Sequence, residues 1–266
     1  MITAPHHARP STLSDAQVAA FQEQGFVRLG RTLDASWLRL LQERIDDLML
    51  GRIPATGLMM QLDLGGAYGA MAEQSVGFKG PSLAYRKIEG LEHDRHFGAF
   101  VRLERFQDWC RLVYGPRAIG VYRAMFMNKP AARGTLLPWH QDGGAIWGLD
   151  RDPLLTVWTA LDDATSANGC VQVVRGSHRL GLLSAFGHTI TPAQEAEHCR
   201  PERIVDLELK AGESVALHNW TLHRSDRNRT DRPRRAFSVC YMDAATRHQA
   251  SGSGFTEIFP VATETR

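Results

Sequence analysis

Trp139-His140-Gln141-Asp142-Gly143-Gly144 is the stretch on which the reading of this chain turns. His140 and Asp142 stand two apart, and side chains at i and i+2 of a strand point to the same face. Both could therefore reach one metal from inside a β structure while Gln141 points away. Gly143 and Gly144 then let the chain turn close to the site. Two imidazoles and one carboxylate can hold iron(II) on one face and leave the opposite face open, the 2-His-1-carboxylate arrangement. A His-x-Asp triplet is common by chance, so the stretch needs a second imidazole from elsewhere.

The candidates are His218 and His223, in Leu217-His218-Asn219-Trp220-Thr221-Leu222-His223-Arg224-Ser225. They differ by five, so on a continuous strand they would face opposite sides, and only one reaches the metal. His218 reads better as a strand-end histidine bonded to backbone. His6 and His7 fall in a terminal segment, and His178, in Gly176-Ser177-His178, fits a turn. Arg234 follows, and a guanidinium can grip a dicarboxylate with two parallel hydrogen bonds, which lysine cannot copy. The competing view of Arg234 is a surface charge in the basic stretch Arg229 to Arg235, and Arg235 is its neighbouring rival.

At 266 residues, with 43% hydrophobic and 23% charged side chains, the chain has ordinary globular composition and length enough for a substantial core. The net charge of +2 gives no reason to expect nucleic acid or an anionic membrane as partner. No run of 18 apolar residues suggests a membrane span. The opening Met-Ile-Thr-Ala-Pro-His-His lacks the basic-then-apolar pattern of a secretory signal. Cys110, Cys170, Cys199 and Cys240 show no CxxC spacing and read as isolated thiols of a reducing, cytoplasmic compartment.

No repeat or linker divides the chain, so one domain over 1–266 is expected, with 1–10 as a flexible tail. Ser14 and Gln17 form a capping box that opens a helix ending at Gly25. Phe26 to Leu29 alternates as a strand. Asp34 caps a second helix with Leu41, Ile45 and Leu48 on one stripe, ended by Gly51. Residues 52–84 show no period and read as an irregular region or lid, with Tyr68 able to cover a pocket. Phe100, Leu103, Phe106, Trp109 and Val113 predict one helix over 97–114, packed on the core. Beyond residue 119 come short strand-like runs: 119–127, 154–161, 170–174, 204–209, 214–217 and 236–241. Turn residues separate several of them, which indicates a β sandwich or barrel. Thr191-Pro192 caps an inserted helix. The fold class is α+β.

These stretches also resemble the phytanoyl-CoA dioxygenase family of iron(II)/2-oxoglutarate oxygenases. The resemblance is carried by Asn128-Lys129-Pro130, Trp139-His140-Gln141-Asp142-Gly143, Val157 to Leu161, Asn168-Gly169-Cys170-Val171, Gly176-Ser177-His178, and His223-Arg224-Ser225 through Asn228 to Arg234-Arg235-Ala236. It implies a double-stranded β-helix, a jelly-roll, cupin-like barrel with N-terminal and flanking helices. It implies iron(II) on His140, Asp142 and His223, with 2-oxoglutarate as cosubstrate and dioxygen as oxidant. Ascorbate is the implied reductant in vitro. Arg234, eleven residues after His223, matches the arginine for the far carboxylate, and Ser225 its hydroxyl helper. Lys87, Met125 and Trp158 fall where the family has further cosubstrate contacts. For Trp158 and Met125 core packing is the competing view. Arg175 replaces a common proline at a turn.

The implied reaction is oxidation of a C–H bond of a small organic molecule, in natural-product biosynthesis or acyl catabolism. Related halogenases have a small residue where Asp142 stands, so hydroxylation, desaturation or cyclisation is expected rather than halogenation. Arg123 shares strand parity with Met125 and is a candidate contact for a substrate carboxylate or phosphate, against a structural ion pair. Trp139 and Trp147 flank the triplet as candidate pocket walls. A cupin-like enzyme without 2-oxoglutarate and a non-catalytic binding relative are the competing classes.

Overall fold

The computed structural model describes residues 13–65, 68, 72–184, 186 and 188–261. The expected tail at 1–10 lies outside the described residues. Five α-helices are present among them: α1 (Asp15–Gln24), α2 (Ala35–Met49), α3 (Arg95–Val101), α4 (Glu104–Tyr114) and α5 (Pro192–His198). The strands are β1 (Phe26–Arg31), β2 (Met59–Leu62), β3 (Ser75–Val76), β4 (Tyr85–Glu89), β5 (Ile119–Lys129), β6 (Leu137–Gln141) and β7 (Leu155–Ala160). They continue with β8 (Val171–Val174), β9 (His188–Thr189), β10 (Ile204–Leu207), β11 (Glu213–His218), β12 (His223–Ser225), β13 (Arg234–Asp243) and β14 (Glu257–Phe259).

The strands make two antiparallel sheets. The major sheet runs β1-β11-β7-β13-β5-β4-β2-β3, with β14 also paired to β5, and the minor sheet runs β10-β8-β12-β6-β9. Period-two alternation decides what each face of the major sheet does. On β13, Phe237, Val239 and Tyr241 join the helix-side core, while Ala236 joins the apolar cluster between the sheets. On β5, Ala124 and Phe126 face the helices, and Arg123 and Met125 face the cavity between the sheets. The inter-sheet cluster draws Phe26, Trp158, Val215 and Leu217 from one sheet and Val171, Val173 and Leu207 from the other. This is the double-stranded β-helix, covered on one face by helices.

Local signals set the helix ends. The Ser14 hydroxyl accepts from Gln17 N and the Gln17 side chain answers back, opening α1, and Gly25 closes it at φ +82. Asp34 accepts from Ser36 N and Trp37 N to open α2, which buries Leu41, Ile45 and Leu48.

Two expectations need correction. The helix predicted over 97–114 is broken at Arg102-Leu103, where Leu103 is extended. At about 100° per residue, Phe106, Trp109 and Cys110 on an unbroken helix would point half a turn away from Phe97, Phe100 and Val101. The break brings both stripes into one core. The stretch 52–84, read as irregular, holds β2 and β3, which extend the major sheet beyond β4. Strands this short cannot display a period, so nothing in the spacing of their residues signals them. Residues 66–67 and 69–71 of that stretch lie outside the described residues.

Candidate active site

Between the sheets lies a cavity of about 450 Å³. Every predicted site residue lines it except Trp139. The minor sheet supplies the triplet and its partner. On β6, His140 points inward, and β12 brings His223 beside it through the His223–His140 register. The two rings lie 4.0 Å apart, centre to centre, and His223 Nε2 lies 3.9 Å from the Asp142 carboxylate. Asp142 stands just past the end of β6, its amide donating to Asn219 O at 2.9 Å. His140 Nδ1 meets Pro138 O at 2.8 Å and His223 Nδ1 meets Thr221 O at 2.9 Å. A carbonyl at Nδ1 fixes the proton there and leaves the Nε2 lone pair facing the cavity. Burial pushes the His140 pKa well below its ordinary value, and the nearby His223 and His188 add to the effect. The ring is therefore neutral at neutral pH, the state a metal ligand needs.

Gln141 points the other way, as parity predicts. Its amide bonds Gly181 O and Trp220 O and accepts from Leu183 N, tying three loops behind the site. The same parity removes Trp139 from the pocket. With His140 inward, its neighbour faces outward, packs with Val174 and Leu222, and carries the Arg224 guanidinium over its ring at 4.8 Å.

His218 ends β11 and its Nδ1 accepts from Trp220 N at 3.1 Å. His218 and His223 belong to different sheets, so the count of five along one strand did not apply to them. What separates them is the turn at Asn219–Leu222.

Deeper in the cavity is Arg234, 3% exposed. Its guanidinium lies over Trp158 at 5.4 Å, and its Nε and Nη1 are buried with no hydrogen-bond partner among the described residues. Burial lowers its pKa to about 10. Arg235 points to the opposite face and is paired with Asp162 at 2.9 Å and Asp46 at 2.7 Å, which separates the two arginines. Ser225, Met125 and Trp158 line the same cavity as Arg234. Lys87 is paired with Glu89 at 3.1 Å. Its pKa is lowered by burial and by Arg123, with Glu89 opposing.

Arg123 sits at another part of the wall. Its guanidinium lies 4.5 Å over Trp147 and 5.2 Å from the Tyr122 ring, with Nη2 3.8 Å from Asp142. Trp147 and Tyr122 are stacked at 4.7 Å.

The sequence reading missed His188. It pairs with Gln141 at the edge of the minor sheet, its ring 4.8 Å from His140, and its Nε2 meets the Tyr68 hydroxyl. His140, Asp142 and His188 offer ligand atoms within 4.8 Å of one another. Its backbone φ of +78 is rare for a residue with a Cβ. A two-residue strand in an aperiodic segment gave no signal that could have placed it.

The family model described as phytanoyl-CoA dioxygenase (PhyH) matches residues 21–236. The chain is 33% identical over 129 residues to a phytanoyl-CoA dioxygenase of Arabidopsis thaliana, covering 47% of this chain and 45% of that protein. It is 26% identical over 266 residues to phytanoyl-CoA dioxygenase domain-containing protein 1 of Bos taurus, covering 88% and 91%. The fold is similar to that of EctD from S. alaskensis, solved with 2-oxoglutarate and 5-hydroxyectoine, at a TM-score of 0.70 and 22% identity over 91% of this chain and 80% of that one. With the family match spanning most of the chain and a histidine–carboxylate cluster beside a buried, unpartnered arginine, the chain belongs to the phytanoyl-CoA dioxygenase family of non-heme iron(II)/2-oxoglutarate-dependent oxygenases.

Proposed function

We propose that His140, Asp142 and His223 hold the iron(II), and that Arg234 grips the far carboxylate of 2-oxoglutarate. The observation that carries this reading is Arg234, a buried cation with two unpartnered donors in the same cavity as the three ligand candidates. A buried charge is costly unless paired, and a carboxylate supplies the missing partner. The donor set fits iron(II): two neutral nitrogens and one carboxylate. His223 is favoured over His188 as the second imidazole. Its Nδ1 is anchored to backbone as His140's is, whereas His188 Nε2 is engaged by Tyr68.

Ser225 contributes a hydroxyl near Arg234, Trp158 a flat wall, and Met125 an apolar one. Lys87 adds positive charge, balanced by Glu89. Iron(II) bound here supplies the redox chemistry that couples decarboxylation of 2-oxoglutarate to oxidation of a substrate C–H bond, with dioxygen as oxidant. The chain's own residues bind, orient and keep water out. Asp142 fills a ligand position that chloride would need, which favours hydroxylation over halogenation. The substrate is a small organic molecule, of natural-product or acyl type.

The described residues form one catalytic domain in this reading, since β1 and β14 belong to the same sheet. The compartment is cytoplasmic, in keeping with four free thiols. No helix among the described residues is long and apolar enough to cross a membrane.

The test is succinate release from 2-oxoglutarate with iron(II) and ascorbate, alongside metal titration. Arg234→Ala is expected to raise the KM for 2-oxoglutarate at least tenfold, and His140→Ala and His223→Ala to lose the metal. Wild-type metal affinity in both histidine variants, or no consumption of 2-oxoglutarate, would overturn the reading.

A further inference from the structure

We propose that the substrate is an anion, carrying a carboxylate or phosphate group that the Arg123 guanidinium grips against the Tyr122–Trp147 platform. The proposal rests on the iron and 2-oxoglutarate reading above. Arg123 Nε is buried with no hydrogen-bond partner among the described residues. Its contact with Asp142, at 3.8 Å, is an ion pair too long for a hydrogen bond. Two aromatic rings hold the guanidinium plane, as stacking does for arginine but not for lysine. A guanidinium so held costs little further ordering when an anion arrives.

The far carboxylate of the cosubstrate is assigned to Arg234, at a different strand position from Arg123. On the paired strands β5 and β13, Arg234 stands opposite Lys129 and Arg123 opposite Cys240. Arg123 and Lys129 are six residues apart on β5, about 20 Å along a strand. Charge balance points the same way. Asp142 is assigned to the metal, and Glu89 is shared with Lys87 at 3.1 Å, which leaves Arg123 without a carboxylate of its own.

Two features narrow the substrate class further. The guanidinium lies beside the Asp142 carboxylate, so the oxidised carbon lies within a few bonds of the anionic group. Leu137, Met125 and a half-exposed Ile146 also line the cavity, apolar surface for part of the remainder of the substrate. A short amphipathic acid or phosphate monoester fits.

The test uses the full chain loaded with manganese(II) and saturating 2-oxoglutarate under argon, with binding read by calorimetry. The probes are hexanoate, hexyl phosphate and neutral hexanamide. At least one anion is expected to bind tenfold or more tighter than the amide, and the stronger of the two identifies the anionic group. Arg123→Gln is expected to bring that ratio below twofold, and Arg123→Lys to restore part of it. Should Arg123→Gln not fold, the wild-type ratio and its fall of threefold or more in Arg123→Lys carry the test. Four results would overturn the proposal: no preference for either anion, a preference kept in Arg123→Gln, a preference undiminished in Arg123→Lys, or anions that displace 2-oxoglutarate. Weakened metal binding with the preference kept would assign Arg123 to orienting Asp142 alone. Failure of 2-oxoglutarate itself to bind would instead sink the parent reading.

Discussion

Arg234 trades stability for binding. Its two unpartnered buried donors cost about 1–3 kcal/mol when no carboxylate is present. Arg234→Met, of similar length and uncharged, is therefore expected to unfold at higher denaturant than the wild type without cosubstrate, by roughly that amount. An equal or lower midpoint would show that the cation is already satisfied. His218 carries a pH dependence of known sign. Burial, with His178 beside it, lowers its pKa from 6.5 to about 4. Below pH 6.5 the unfolded chain takes up a proton that the folded chain refuses until near pH 4. Stability is therefore full above pH 6.5 and is lost on acidification toward pH 4, by on the order of 3 kcal/mol. His140 works in the same direction. His218→Gln is expected to flatten part of this slope and to keep its metal, measured by denaturation at pH 7 and 5. An unchanged slope, or a lost metal, contradicts the assignment. At this scale the shared face of His140 and Asp142 and the outward Gln141 were legible because strand parity is local, whereas Arg234 was singled out by the family resemblance. Trp139 was misplaced although that same parity, applied one residue back, sends it outward.

At the scale of elements, Gly25 joins α1 to the turn that delivers His223. A Cβ there would stand 2.4 Å from His178 Nδ1 and 2.5 Å from Thr221 Oγ1, at a φ of +82. The Thr221 hydroxyl donates to Gly25 O at 3.0 Å, and Thr221 O holds His223 Nδ1. Gly25→Ala is expected to cost about 1–3 kcal/mol in backbone strain alone and to weaken metal binding through the displaced turn. Metal affinity equal to the wild type in a destabilised variant would uncouple the two. Ser14→Ala removes the α1 cap and is expected to cost about 1 kcal/mol with metal affinity unchanged, by thermal unfolding and titration. Caps and glycine stops were readable because each is a contact within a few residues. The break between α3 and α4 was not, because it answers to the phase of a core built from distant strands.

For the whole molecule, metal and cosubstrate should act as staples between the two sheets. Ligands at a hundred times their dissociation constants add about 2.7 kcal/mol, roughly 5–10 °C for a chain of this size. The wild type is expected to gain such a shift from 2-oxoglutarate with manganese(II), and Arg234→Met to gain none from the 2-oxoglutarate. A shift retained in Arg234→Met would place the cosubstrate elsewhere. The sequence by itself pointed to the class of chemistry, through the His140-x-Asp142 triplet and the motifs that carry the family resemblance. It also determined the alternating strands and the capped helices, which rest on short-range periodicity. Only the tertiary structure decided which histidines converge, that Arg235 turns outward to Asp162 and Asp46, and that Arg123 lies on an aromatic platform with its Nε unpartnered among the described residues. Those outcomes depend on pairing between β6 and β12 and between β5 and β13, contacts between segments far apart in the chain that no local spacing encodes.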